Sequence, residues 1–279
     1  VAQVKVVTDS ASDLPQDIAT SLGIEVVPLT IRFGDKEYVD RTGLTSDEFW
    51  AMCKASKVLP ETAAPSPGSF QDAYERAFND GAAGVIVVTL SSQLSATFQS
   101  ATLAADAVKE RGAVRVIDSR AVSMAQGLLV VELAEAAKNG ASLDDLVALA
   151  NSLTARLGII GTIDTLEHLI KGGRIGGAKA LLGSVLNIKP LLELKEGVIG
   201  EAGRARTRAK AIAALVQAAR SAEPLQRLAV MHGAATDITT VVEALQQLPV
   251  THPLVVGDVG STVGTHGGPG MIVVCWLRA

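Results

Sequence analysis

The sequence predicts an α/β protein in two parts, a parallel Rossmann-like sheet in the N-terminal part and a second α/β unit behind it. Three observations carry this expectation. Short β-rich runs alternate with helical patterns through the first half, the second half changes texture around glycine-rich turns, and 48% of the 279 residues are hydrophobic while only 3% are aromatic. Strand and helix in alternation imply right-handed crossovers and a mostly parallel sheet. An interior of Ala, Val, Leu and Ile suits closely packed layers and is compatible with an apolar cavity without demonstrating one. The chain exceeds ordinary single-domain size, and the change of texture places a boundary near Arg156, giving domains 1–156 and 157–279.

Taken in order, "VKVVTDS" reads as the first strand, followed by a helix from Asp13 to Leu22 with Pro15 in its first turn. "IEVVPLTIRF" is the next β-rich run, and Ser46 to Ser56 is helical. "LPETAAPSPGSF" holds three prolines and no periodicity, so it reads as a stiff loop ahead of a helix starting near Phe70. "GVIVV" is short, apolar and β-branched, the signature of a strand buried on both faces, and a helix follows from Leu94. "AVRVIDS" precedes a helix beginning near Ser123, and an amphipathic helix covers Leu143 to Ala155. In the second half "LGIIGTID" leads to "KGGRIGG", a helix, a hairpin around Glu196 and Gly197, and a basic helix opened by "GRARTRAKA". "LAVMHGA", a further helix and "HPLVVGDVGSTVGTHGGPGMIVVCWL" supply the remaining strands.

Composition excludes several function classes. A net charge of -4 lacks the basic footprint of a nucleic-acid binder. Cys53 and Cys275 have no metal-ligand spacing and fit buried, inert thiols of a reducing compartment. No secretory pattern precedes "VKVVTDS", and no apolar run reaches the roughly eighteen residues of a membrane span. The expectation is a cytoplasmic protein without stable membrane insertion.

Several stretches have more than one use. "TLSSQLSATFQSA" runs a buried strand into a cluster of hydroxyls at a helix start, where Ser92 or Ser95 either caps the helix or helps to hold an anion. "TDSASDLP" is explained by strand-to-helix capping. Thr62 offers a hydroxyl on the proline-rich loop. "KGGRIGG" carries Lys171 and Arg174, but its Lys precedes the glycines and the Walker spacing is absent, so a helix C-cap and tight turn is the better account. His266 sits in "GSTVGTHGGPG", flexible small residues that would let backbone approach a ligand. Arg204, Arg206, Arg208 and Lys210 form either a solvated face or an anion or partner contact. The residues alone leave open a hydrolase or phosphotransferase acting on a small metabolite through Ser92 and His266, although no third residue is identifiable to orient the histidine.

Together "TDSASDLP", "TAAPSPG", "SSQLSATFQSA", "IDSRAVSMAQG", "KGGRIGG", "LGSVLNIKP", "ARTRAKA" and "THGGPG" closely resemble the DegV family along essentially the whole chain. Its biochemically understood members are the fatty acid-binding subunits of bacterial fatty acid kinase. The resemblance implies a carrier rather than an enzyme, with one long-chain fatty acid in a tunnel between two domains, no cofactor, and an ATP-dependent kinase protein that phosphorylates the presented carboxylate. It implies that Thr62, Ser92 (first choice), Ser95 (second choice) and His266 hold the carboxylate, and that Arg206 and Arg174 contact the partner or the phosphoryl group. The chain departs from the family pattern at Ala63, Ala96 and Lys210.

Overall fold

The structure is a computed structural model that describes residues 3–56, 58–181 and 188–279. Most of the "LGSVLNIKP" stretch lies outside the described residues. The elements in chain order are β1 (Val4–Asp9), α1 (Gln16–Ser21), β2 (Glu25–Val27), β3 (Thr30–Phe33), β4 (Lys36–Val39), α2 (Ser46–Ala55), β5 (Glu61–Ala63), α3 (Pro67–Asn79), β6 (Gly84–Thr89), α4 (Thr97–Ala107), β7 (Val114–Asp118), α5 (Met124–Lys138) and α6 (Leu143–Thr154). They continue with β8 (Leu157–Thr162), α7 (Glu167–Lys171), β9 (Lys189–Lys195), β10 (Val198–Ala205), α8 (Arg208–Ser221), β11 (Leu225–His232), α9 (Ile238–Leu245), β12 (Val255–Asp258), α10 (Ser261–Gly267) and β13 (Ile272–Arg278).

The first sheet is parallel, in the order β2-β1-β6-β7. All of β6 is buried because helices cover both faces of this sheet. Alternate side chains divide between them: Val7, Val85 and Val87 meet Phe70 and Tyr74 of α3 and Ala101 of α4, while Val4, Val6, Ile86 and Val88 meet α5 and α6. The second sheet is mixed, in the order β10-β9-β8-β13-β11-β12, with only β11 and β12 parallel. Its outer face packs on α8 and α9 through residues such as Val230, Ile272 and Val274. Its inner face shares one core with the first sheet, bridged by α5, whose Leu128, Leu129 and Leu133 are fully buried. A small antiparallel sheet, β4-β3-β5, stands to one side.

Local sequence explains many of these boundaries. Thr45 and Glu48 form a reciprocal capping box at α2, and Ser142 and Asp145 do the same at α6. Ser66 caps α3 with Pro67 in its first turn.

Four expectations need correction. The helix foreseen from Asp13 is a 3-10 turn at Ser10–Ser12, then Asp13 in the left-handed region, then α1 from Gln16. "IEVVPLTIRF" is not one run, because Pro28 lacks the N–H to continue a ladder and the chain passes from the parallel sheet to the small antiparallel one. The helix after β6 begins at Thr97 rather than Leu94, since Ser91 O first accepts from Leu94 N and Ser95 N in a turn. Finally, "GSTVGTHG" is not a flexible loop: Ser261–Gly267 is helical. Among the described residues no helix is long and apolar enough to cross a membrane.

Candidate functional site

The segments that leave the carboxyl ends of the parallel strands carry Leu29, Leu90, Leu94, Val122 and Ser123, and these cover the inner face of the mixed sheet. Strand alternation turns Ile159, Gly161 and Ile163 of β8 and its exit, Leu192 and Leu194 of β9, and Met271 and Val273 toward them. Between the layers lies a cavity of about 870 Å³, its open mouth included, with walls that are almost wholly aliphatic. Its place at strand carboxyl ends is the usual one for ligands of open α/β sheets.

One end of the cavity is polar. Thr62 on β5 and His266 on α10 are linked by a 2.9 Å hydrogen bond between Oγ1 and Nε2. Arg174 stands beside them, with its Nε donating to Leu94 O at 3.1 Å and a terminal nitrogen to Gly172 O at 2.6 Å. Ser95 also reaches the cavity wall, with its hydroxyl 2.9 Å from Thr97 Oγ1 and accepting from Thr97 N at 3.3 Å at the start of α4. Thr62, Arg174 and His266 belong equally to an outer mouth, where Glu61, His168 and Lys171 line the way to solvent. Burial, followed by the positive charge of Arg174 and by His168, pushes the His266 imidazole down to about 4, so the ring is neutral at neutral pH. The other two hydroxyls at the wall are committed elsewhere: Thr262 donates to Asp40 at 2.6 Å and Ser123 to Asp13 at 2.5 Å.

These carboxylates explain how the histidine is aimed. Thr262 and His266 are one helical turn apart, so fixing Thr262 fixes the rotation of α10. Asp40 also accepts from Ser10 Oγ at 2.7 Å, and Asp13 accepts from Gly260 N at 2.9 Å, just ahead of α10. The "TDSASDLP" loop therefore anchors the helix that carries His266. His168 Nδ1 meets Thr265 O at 3.0 Å and props the same helix from α7. Burial pushes the Asp9 and Asp13 carboxyls up to about 7, opposed by their hydrogen bonds. An apolar cavity with a neutral imidazole, hydroxyls and a guanidinium at one end suits an amphiphile with a long aliphatic chain and a small anionic head.

The DegV family model, described as an uncharacterised protein of the DegV family, matches residues 3–279. The chain belongs to the DegV family. It is 36% identical over 275 residues to a DegV domain-containing protein of Streptomyces coelicolor, covering 97% of each chain. Among solved structures it is similar to a DegV family protein of Thermus thermophilus described as binding fatty acid, at 36% identity and TM-score 0.88, with 99% of each chain covered. It is similar also to DegV of Bacillus subtilis, described as a fatty acid binding protein, at 30% identity and TM-score 0.89, again with 99% of each chain covered.

The DegV chain brings four of the six residues singled out from sequence to one place: Thr62, Ser95, Arg174 and His266. Ser92 is not among them. It is exposed, and its hydroxyl donates to Asp118 Oδ2 at 2.5 Å while its backbone N–H bonds Oδ1 of the same carboxylate. Thr62 lies on a short strand rather than in a loop. Arg206 is exposed between β10 and α8 and is not among the residues that line the cavity. Of its basic neighbours, Arg204 lies on β10 and pairs with Glu201, and Arg208 opens α8 with a forked bond to Asp237. Sequence reasoning missed Asp40, Thr262 and Gly172. The "KGGRIGG" motif held a signal for the last, since a Cβ on Gly172 would collide with the His266 ring.

Proposed function

We propose that this chain binds one long-chain fatty acid, with the tail in the aliphatic cavity and the carboxylate among Thr62, Ser95, Arg174 and His266. The observation that carries the reading is the polar cluster at one end of an otherwise aliphatic cavity. Relatives from Thermus thermophilus and Bacillus subtilis described as fatty acid binders support it. Burying about fourteen methylenes at roughly 0.8 kcal/mol each contributes about 11 kcal/mol before ordering costs, enough to retain lipid through purification.

The chain acts as a carrier in the bacterial cytoplasm and presents its ligand to a separate ATP-dependent kinase. There a carboxylate oxygen attacks the γ-phosphorus of ATP, ADP leaves, and an acyl phosphate forms. Access through the outer mouth, beside Lys171 and Arg174, suits that transfer. The rival reading, a hydrolase or phosphotransferase using Ser92 and His266, is disfavoured because Ser92 bonds Asp118 and His266 bonds Thr62.

Two measurements test the proposal. Solvent extraction of gently purified protein should release a fatty acid of about sixteen to eighteen carbons, seen by mass spectrometry, and a delipidated sample should melt higher when the acid is restored. Protein that yields no acid and is not stabilised by any would overturn the carrier reading. Acyl phosphate formation by this chain with ATP alone would overturn the division of labour with a kinase.

A further inference from the structure

The cavity has a neighbour at each of two places. The outer mouth shares Thr62, Arg174 and His266 with it, and a second cleft shares Ile159 and Leu194. Strand register shows that these places lie at opposite ends. Thr162 pairs with Ile272, which follows α10 and Met271, whereas Ile159 pairs with Cys275 farther along β13. Ile159 and Ile163 are four residues apart on one face of β8 and its exit, about 13 Å. On β9, Leu192 pairs with Gly161, and Leu194 lies two residues beyond it toward the Ile159 end.

Behind Ile159 and Leu194 lies a second cleft of about 1430 Å³, its opening to solvent included, whose walls combine the small residues Ala121, Ala125 and Gly158 with the polar Asp118, Arg120, Asn151, Lys195 and Glu196. The tip of the β9–β10 hairpin is tied to the parallel half by Ser91 Oγ donating to Gly197 O at 2.7 Å and by an Arg120–Glu196 pair at 2.9 Å. The residues that line both spaces are two with aliphatic side chains, one of them, Leu194, only partly buried.

We propose that Ile159 and Leu194 are the specificity-determining stop that sets the acyl length this protein accepts, and that the cleft behind them receives the end of a longer chain when the stop is cut back. The inference rests on the fatty acid reading above. A chain that meets the stop gains nothing from further methylenes, because they have nowhere apolar to go. Removing the stop lets the first extra methylenes be buried against Ala121, Ala125 and Gly158, while the charged walls of the cleft limit how far the gain continues.

Displacement of a fluorescent fatty acid by palmitic, stearic, arachidic and behenic acid, measured on wild type, Leu194→Ala and Ile159→Ala, tests this. Wild type should lose affinity beyond its preferred length. Each variant should raise the behenic-to-palmitic affinity ratio by about tenfold, the worth of roughly two further buried methylenes. Leu194→Ala decides the matter if Ile159→Ala melts too low to assay, because the leucine is partly exposed. A wild type that binds the acids together with a Leu194→Ala protein of unchanged length preference would overturn the stop alone. A wild type that binds none of the four would overturn the fatty acid reading and the stop with it.

Discussion

Thr62 and His266, 204 residues apart in the chain, share a 2.9 Å hydrogen bond at the polar end of the cavity. The second ring nitrogen, Nδ1, has no hydrogen-bond partner among the described residues and faces Gly172, the residue that caps α7. The pair thus depends on two segments besides its own: the "TDSASDLP" loop that anchors α10, and a glycine that leaves room for the ring.

Removing the hydroxyls at this end should weaken binding, whereas removing Ser92 should not. Thr62→Ala and Ser95→Ala each lose a hydrogen bond to a charged acceptor, worth about 1.5 to 3 kcal/mol, so fatty acid affinity should fall roughly tenfold or more. Ser92→Ala should stay within about twofold, because its hydroxyl serves Asp118. Fluorescence titration of folded variants reads the difference, and a tenfold loss in Ser92→Ala would relocate the carboxylate.

Gly172→Ala should act on the histidine from behind. Its backbone is helical, so alanine brings no conformational strain there, yet the new methyl group would occupy the space of the imidazole. The ring must turn from Thr62, and affinity should drop about tenfold with little change in melting temperature. Full affinity would show that the ring's position is not needed.

The His266 ring should change its titration when ligand binds. In the free protein its pKa is pushed down to about 4 by burial, Arg174 and His168. A carboxylate placed beside it favours the charged imidazolium, so the value should rise by about one unit or more. NMR titration of the ring with and without bound acid, using His266→Gln to assign the signal, measures the shift. A bound acid that leaves it unmoved does not touch the ring.

Asp13 supplies a test of the anchoring network through pH. Its ordinary value is 3.8 and burial raises it to about 7 in the folded protein, so the folded state holds the proton more tightly. The stability this confers is fully present below about 4 and is lost as pH rises to about 7. Asn cannot titrate, and the opposite contribution of His266 is common to both proteins. The stability of wild type relative to Asp13→Asn should therefore decline by up to about 4 kcal/mol across that window. Urea denaturation at several pH values measures it, and a flat difference would show Asp13 to be ionised throughout.

Arg206→Glu should separate binding from presentation. The residue is exposed and forms no ion pair among the described residues, and a guanidinium suits an acidic partner surface or a phosphoryl group. Affinity for fatty acid should be nearly unchanged, while acyl phosphate production by a cognate kinase should fall at least about tenfold through like-charge repulsion. Normal turnover would return the arginine to an ordinary solvated surface.

Some features were legible because their causes are local. The apolar run of β6 has no polar face to offer water, so only a fully covered strand satisfies it. The capping boxes of α2 and α6 lie within four residues of sequence, and the hairpin at Glu196 and Gly197 follows from two residues with positive φ. The family motifs also pointed to Thr62, His266 and, as second choice after Ser92, Ser95.

The sequence by itself determined the alternating α/β order, the apolar interior and the residue types from which a carboxylate site can be built, since periodicity, capping and composition act over a few residues. Tertiary structure decided which of those residues meet. Ser92 and Ser95 are three apart and chemically alike, yet Asp118, on a different strand, takes one while the other, bonded to Thr97, lines the cavity. "GSTVGTHG" has poor helix propensity, because glycine retains so much freedom when unfolded. It becomes α10 where Thr262 bonds Asp40 and Gly264 lets Phe49 and Trp50 pack against its backbone. Those partners are about two hundred residues away in sequence, and no local pattern encodes a contact that exists only once the two halves have closed on each other.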